Sequence, residues 1–298
     1  MNLNIPQDWI YSRRLIYGSD LFDDWLQEAT HEAKQFAESW DLKIHGFMTG
    51  GQLSLPLACT CSNGNQVVLK ISAPWNQSAP GAERNALQSW NGQGAVKLLE
   101  CNQPGNVLLL ERLDPGSPMS HQLDDTQACQ QIAQLHQQLI AVDAPLGFPD
   151  AIEQTSLHQK LARTSWGKGL QDIISMSHLV AFEEFVLQWC QGGKASVVHG
   201  DFQNKNILLH GKQLLVIDPA PALADPLMDL ANWLLIFNPN QGVERRAKIL
   251  AKLLDLDLER LMVWVRIQAT YSVIFSMPEN RQAYLPYCLQ PKDILDLS

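Results

Sequence analysis

The chain has 298 residues, 46% of them hydrophobic and 18% charged, with a formal charge of −9 at pH 7. That is enough apolar material for a large core and too much chain for one small domain, so two lobes are expected. Acids outnumber bases and no basic block occurs, which argues against nucleic acid and anionic membranes as partners and permits a cationic small molecule.

The six cysteines, at positions 59, 61, 101, 129, 190 and 288, form no C-x-x-C pair and have no matching histidine spacing. Reduced thiols are therefore expected rather than a zinc site. No basic-then-apolar leader opens the sequence, and no run reaches the length of a membrane span. These features predict a cytoplasmic protein; they set no oligomeric state.

In chain order, Leu21 to Trp40 carries apolar residues at three- and four-residue steps, which predicts an amphipathic helix capped by Ser19 or Asp20. From Lys43 to Lys70, turn signals at Thr49-Gly50-Gly51 and Ser62-Asn63-Gly64-Asn65 separate apolar runs, which predicts two or three antiparallel strands. Gly50 and Gly51 would let backbone amides approach a phosphate, although a plain hairpin turn explains them equally well. Lys70 closes an apolar strand, where its charge would be drawn toward the sheet unless an anion meets it. Gly81 to Trp90 reads as a helix that packs Ala86, Leu87 and Trp90 and turns Glu83 toward the lysine; the plainer alternatives are a surface lysine and a solvated glutamate.

Gly94 to Leu99 and Val107 to Leu113 read as two further strands, the second running into Asp114-Pro115-Gly116. Asp125 to Val142 is predicted helical, with Ala128, Ile132, Leu135 and Leu139 on its buried face and His136 in a structural role. Trp166, in a weakly periodic stretch from Leu157 to Leu170, could stack on a sugar or simply fill a core. Leu179 to Cys190 is helical with Glu183 and Glu184 away from its apolar face. Helices over Leu227 to Phe237, Val243 to Leu254 and Leu258 to Phe275 complete the chain, the first opened by Asp225 as N-cap and Pro226 at the first helical position.

The most informative stretch is Val197 to Asp218, VVHGDFQNKNILLHGKQLLVID. Two apolar runs, Ile207 to Leu209 and Leu214 to Ile217, flank a polar loop containing Gly211 and so read as a hairpin. Asn206 and Asp218, equally far from a turn near residue 212, then fall at the same open end. Paired strand positions are roughly 5 Å apart, so two oxygens there can share a hard cation such as Mg²⁺, which keeps waters and substrate phosphates as its other ligands. Asp201, one tight loop earlier, lies beside the pair and is a candidate base. Taken singly, each residue is equally an ordinary hairpin acid or cap.

Together these residues resemble the catalytic and metal loops of eukaryotic-like kinases. His199-Gly200-Asp201, Asp218-Pro219 and Asp225-Pro226-Leu227-Met228-Asp229 resemble the aminoglycoside phosphotransferase branch. With Lys70, Glu83 to Trp90 and Leu109 to Leu113, they are similar to the streptomycin 6-kinase and hydroxyurea-resistance kinase subfamily. The resemblance implies an α+β, two-lobed protein-kinase-like fold. Residues 1–112 would form a β-rich nucleotide-binding N-lobe and residues 113–298 a mainly α-helical C-lobe with the catalytic loop, metal site and acceptor site.

It further implies that ATP lies between the lobes with Lys70, oriented by Glu83, on its phosphates. Adenine would bond backbone groups near Glu111 and Leu113, Gly50 and Gly51 would lie near phosphate, and Asn206 and Asp218 would hold Mg²⁺. Asp201 would accept the proton of a small-molecule hydroxyl, and His199 would fix the loop. The subfamily commonly carries His and Gly where this chain has Gln203 and Lys205. The implied activity is phosphorylation of a streptomycin-like aminoglycoside. A kinase of another small metabolite, such as a sugar amine, homoserine or choline, stays open, as does a nucleotide-binding regulator without turnover.

Overall fold

Two helices open the chain, α1 (Gln7–Tyr17) and α2 (Ser19–Ser39), broken at Gly18, whose φ of +88° no helix accommodates. Periodicity predicts the second helix only, capped by Ser19 or Asp20; instead Gly18 is its N-cap and no side chain caps it. The structure, a computed structural model, describes residues 3–49, 54–73, 75, 81–120, 123–142, 148–150, 173–192, 195–238, 240–276, 278–292 and 294. The chain divides into two units, Met1–Gly116 and Ser117–Ser298.

In the first unit, β1 (Leu42–Phe47), β2 (Ser54–Cys61) and β3 (Gln66–Ser72) are followed by α3 (Ala82–Trp90), β4 (Leu98–Cys101) and β5 (Val107–Glu111). The strands make one antiparallel sheet in the order β1-β2-β3-β5-β4. Alternation gives each strand an inner set, Leu55 and Leu57, Leu69 and Ile71, Val107 and Leu109. These pack with Trp9, Phe22, Trp25, Ala29 and Ala33 of the two helices into one core. Three expected strands differ in extent. Lys70 does not close β3, which continues to Ser72; β4 begins at Leu98 rather than residue 94; and β5 ends at Glu111 rather than Leu113. The β4 shift follows from Lys97, whose N–H and C=O are both taken by Glu111, at 2.7 Å through its side chain and at 3.0 Å through its backbone.

The chain leaves this unit through β6 (Pro115–Pro118). The second unit holds α4 (Asp125–Ile140), α5 (Met176–Trp189), β7 (Ser196–Val198), β8 (Ile207–His210), β9 (Gln213–Val216) and β10 (Ala222–Ala224). It continues through α6 (Leu227–Phe237), α7 (Val243–Leu254) and α8 (Leu258–Phe275). Helix α4 starts where Asp124 accepts from Thr126 and Gln127 N–H at 2.9 Å each, a side-chain cap. Its expected inward residues Ala128, Ile132, Leu135 and Leu139 are all buried. His136 on the same face hydrogen-bonds the Pro226 carbonyl at 3.0 Å, a structural contact. Glu183, expected on the solvated face of α5, is buried, whereas Glu184 is exposed. After α8 the chain makes short 3-10 turns over Pro278–Ala283 and Leu285–Tyr287 instead of continuing as α-helix. No helix among the described residues is long and apolar enough to cross a membrane.

Candidate active site

The first unit carries a buried ion pair. Lys70 lies between the core residues Leu69 and Ile71, so alternation sends it to the opposite face of the sheet, with Pro56 and Leu108 beside it in register. Glu83 comes from the first turn of α3. Both residues are 4% exposed, and Lys70 Nζ donates to Glu83 Oε1 at 2.5 Å. Ser72 Oγ donates to Glu83 Oε2 at 3.5 Å. Burial removes water from both charges, so each depends on the other. Gly50, Gly51 and Trp166 lie outside the described residues.

In the second unit the loop from β7 to β8 is held by three anchors. His199, fully buried, bonds the Ile217 carbonyl through Nε2 at 2.9 Å and accepts from Asp201 N–H through Nδ1 at 3.2 Å. An accepting Nδ1 makes Nε2 the protonated nitrogen. The His199 carbonyl in turn accepts from Ala220 N–H at 2.8 Å. Asp218 therefore lies between two residues, Ile217 and Ala220, that are both tied to His199. Gly200 adopts φ +78°, and a Cβ there would lie 2.0 Å from the Ala220 carbonyl oxygen. Only glycine fits this close approach.

The second anchor is Asn204, buried, which accepts from Trp233 Nε1 at 3.0 Å. The third is Asp229 on α6, whose Oδ2 accepts from His199 N–H at 2.6 Å and whose Oδ1 accepts from Gly200 N–H at 2.9 Å. Burial pushes the Asp229 carboxyl up to about 7; the Asp201 charge adds to the rise, while the two N–H donors oppose it.

These anchors present Asp201. Gln203 Nε2 donates to its Oδ1, and Asn206 Nδ2 donates to its Oδ2 at 2.7 Å and to its backbone carbonyl at 2.9 Å. Lys205 Nζ lies 3.2 Å from the same Oδ2. The hairpin that carries Asn206 pairs Ile207 with Val216 and His210 with Gln213, so its turn is the two residues Gly211 and Lys212. Asn206 therefore faces Ile217, whose N–H donates to the Asn206 carbonyl at 2.9 Å. Asp218 is one position beyond, contrary to the equal spacing expected, and its φ of +54° takes it out of the strand direction. The left-handed region is one that aspartate tolerates better than most residues.

The roles of Asp229, Asn204 and the Gln203 contact are not among those expected from the sequence. A signal for the first was available, since it is the one charged residue in the largely apolar run LMDLANWLLIF. Helix α6 spans Leu227–Phe237 as its periodicity predicted, but Pro226 rather than Asp225 stands at its N-cap position. Asp225 Oδ1 accepts from Leu227 N–H at 3.0 Å, and its Oδ2 accepts from Arg260 Nε at 2.8 Å and Trp264 Nε1 at 2.9 Å. Asp225 thus fixes the start of the helix that carries Asp229.

Asn206 turns its amide nitrogen to Asp201, which directs its carbonyl Oδ1 elsewhere; that oxygen and the Asp218 carboxylate are both hard oxygen donors. Such a pair fits Mg²⁺, which is bound by one or two protein oxygens plus substrate phosphates and water. Among the described residues no group of three or more His, Cys, Asp or Glu forms a self-sufficient metal cluster.

Residues 39–278 match the family model described as aminoglycoside/hydroxyurea antibiotic resistance kinase. The chain belongs to that family. It is an ATP-dependent phosphotransferase with an alcohol group as acceptor. A streptomycin 6-kinase of Streptomyces griseus is 26% identical over 271 residues, 88% of this chain and 87% of the relative. A hydroxyurea phosphotransferase of Kitasatospora aureofaciens is 28% identical over 282 residues, 91% and 79% of the two chains.

Among solved structures, choline kinase LicA from Streptococcus pneumoniae is similar with a TM-score of 0.63 at 14% identity, covering 89% of this chain and 99% of that one. An aminoglycoside phosphotransferase in ternary complex with ADP and hygromycin B is similar with a TM-score of 0.56 at 16% identity, covering 89% and 98%. The fold is the α+β, protein-kinase-like fold that the sequence resemblance implied.

Proposed function

We propose that this kinase transfers the γ-phosphoryl group of ATP to a hydroxyl of a streptomycin-like aminoglycoside, with Asp201 as the base. What carries the reading is the carboxylate of Asp201, fixed by the Asn206 amide at 2.7 Å in a loop whose backbone is clamped by Asp229. The streptomycin and hydroxyurea kinases to which the chain is similar support the acceptor class.

Residues 1–112 serve the nucleotide. Lys70, oriented by Glu83, neutralises phosphate charge, and Gly50 and Gly51 offer backbone amides to phosphate. The Glu111 N–H is already committed to Lys97, so adenine recognition falls to the Glu111 carbonyl and to Leu113. Residues 113–298 serve the acceptor and the metal. Asn206 Oδ1 and Asp218 would hold Mg²⁺, which when bound supplies charge neutralisation at the β- and γ-phosphates. As the acceptor oxygen bonds to phosphorus and the bridging P–O bond breaks, ADP takes the bond's electron pair and Asp201 takes the hydroxyl proton. The protein contributes position and electrostatics, with no covalent intermediate. The net acidity of the chain suits an amine-bearing acceptor.

The test is Mg²⁺-dependent ADP formation by the purified protein with streptomycin, beside hydroxyurea, amino sugars, homoserine and choline. Streptomycin-dependent turnover is expected. Turnover with another acceptor alone would discard the aminoglycoside, and nucleotide binding without turnover on any acceptor would favour a regulator.

A further inference from the structure

We propose that Lys205 is a catalytic residue: its ammonium leaves the Asp201 carboxylate for the γ-phosphoryl group of the bound nucleotide. This rests on the phosphotransferase reading given above. Lys205 occupies the middle of a single 3-10 turn, Asn204–Asn206. Both neighbours are buried and held, Asn204 by Trp233 and Asn206 by Asp201. The root of the lysine is therefore fixed, while its side chain is half exposed and its tip is free to turn on a four-carbon stem.

In the resting protein that tip lies 3.2 Å from Asp201 Oδ2, an oxygen that also accepts from Asn206. Gln203 occupies Oδ1. A carboxylate has about four acceptor positions on its two oxygens, so three donors leave the base crowded just where an acceptor hydroxyl must hydrogen-bond. A half-exposed ion pair is weak because water screens it, and Lys205 is the most readily displaced of the three donors.

The triphosphate supplies the competing anion. Its terminal group is multiply charged, Asp201 carries one charge at most, and the transfer requires that terminal group beside both the base and the neighbouring Asn206. Departure of Lys205 would open a position on Oδ2 for the hydroxyl and deliver a cation to the oxygens of the phosphoryl in transit. Lys205 keeps its own proton throughout: the acceptor's proton goes to Asp201 and the electron pair of the broken P–O bond goes to ADP. Gln203, neutral and bonded to the other oxygen, stays with the base.

The test compares wild type with Lys205→Met and Lys205→Arg in two measurements. The first is steady-state turnover. The second is the affinity for Mg²⁺–AMP-PNP relative to Mg²⁺–ADP by titration calorimetry, which needs no acceptor. For Lys205→Met the expected result is a kcat lower by about 100-fold, little change in acceptor KM, and a roughly tenfold loss of preference for the triphosphate. Lys205→Arg should recover most of both effects.

A fall in kcat with the triphosphate preference intact would overturn the proposal, because Lys205 would then act on Asp201 alone. Unchanged kcat and unchanged preference would also overturn it, leaving a solvated side chain. If wild type bound neither nucleotide, the phosphotransferase reading would fail and the role of Lys205 with it.

Discussion

Asp229 accepts the backbone N–H of His199 at 2.6 Å from the first turn of an apolar helix, thirty residues further along the chain. A second N–H, from Gly200, reaches the other oxygen at 2.9 Å. One buried carboxylate therefore sets the backbone path into Asp201. Asp229→Ala should leave the buried His199 N–H and the partly buried Gly200 N–H without their acceptor, at about 1–3 kcal/mol for the buried group, and lower kcat by more than it changes nucleotide affinity. Asp229→Asn, which keeps one acceptor, should lie between. Thermal melting and turnover on the same preparations check both points.

Gly200 and Gly211 share a left-handed backbone but not their surroundings. A Cβ on Gly200 would meet the Ala220 carbonyl at 2.0 Å, whereas one on Gly211 meets nothing within 4 Å. Gly211→Ala should cost only the left-handed penalty of about 1–2 kcal/mol and leave turnover intact. Gly200→Ala adds a backbone collision and should abolish turnover. Equal effects of the two substitutions would contradict the packing of His199-Gly200-Asp201 against Ala220.

The Lys70–Glu83 pair separates stability from function. Removing one partner strands a buried charge, so Lys70→Met or Glu83→Gln alone should destabilise by about 3–5 kcal/mol. The double substitution should regain much of that stability and none of the activity. Denaturant melts of the four proteins give the coupling energy; recovery of turnover in the double variant would refute the assignment of Lys70 to phosphate.

His136 gives a pH dependence of definite sign. Burial lowers its pKa from 6.5 to about 4, partly offset by its contact with Pro226 and the charge of Asp225. The folded state thus holds it neutral while the unfolded chain protonates. Its stabilisation is complete above pH 6.5 and is lost as pH falls toward 4, by up to about 3 kcal/mol. Asp229 works in the opposite direction: its raised pKa favours the folded state at low pH and loses that benefit between about 4 and about 7. The two slopes oppose each other, so the informative measurement is the difference between wild type and His136→Gln. That difference should shrink as pH drops from 6.5 to 4.

Much of this was legible in the sequence where local rules act alone. Helices α6, α7 and α8 fall on the residues that periodicity marked, Leu227–Phe237, Val243–Leu254 and Leu258–Phe275. The family, too, could be read from the residues around Asp201. Helix α1 was not legible, because Tyr11, Leu15 and Ile16 leave it with an exposed apolar side that blurs its periodicity. The hairpin register was missed by one residue because His210 and Gln213 look like turn residues yet form its last pair. Glu183 was beyond reach because burial of an acid depends on partners distant in sequence; Asp229 stood out as an acid in an apolar run, but the His199 and Gly200 N–H groups that it accepts from lie some thirty residues away and no local rule names them.

Whether Asp201 is the base is decided by turnover and Mg²⁺–ATP binding of Asp201→Asn beside wild type, with streptomycin as acceptor. ADP formation should be lost while nucleotide affinity stays within about twofold, since the substitution removes a base and keeps the shape. Turnover near the wild-type rate would contradict Asp201 as the base, and so would a loss of nucleotide affinity as large as the loss of turnover.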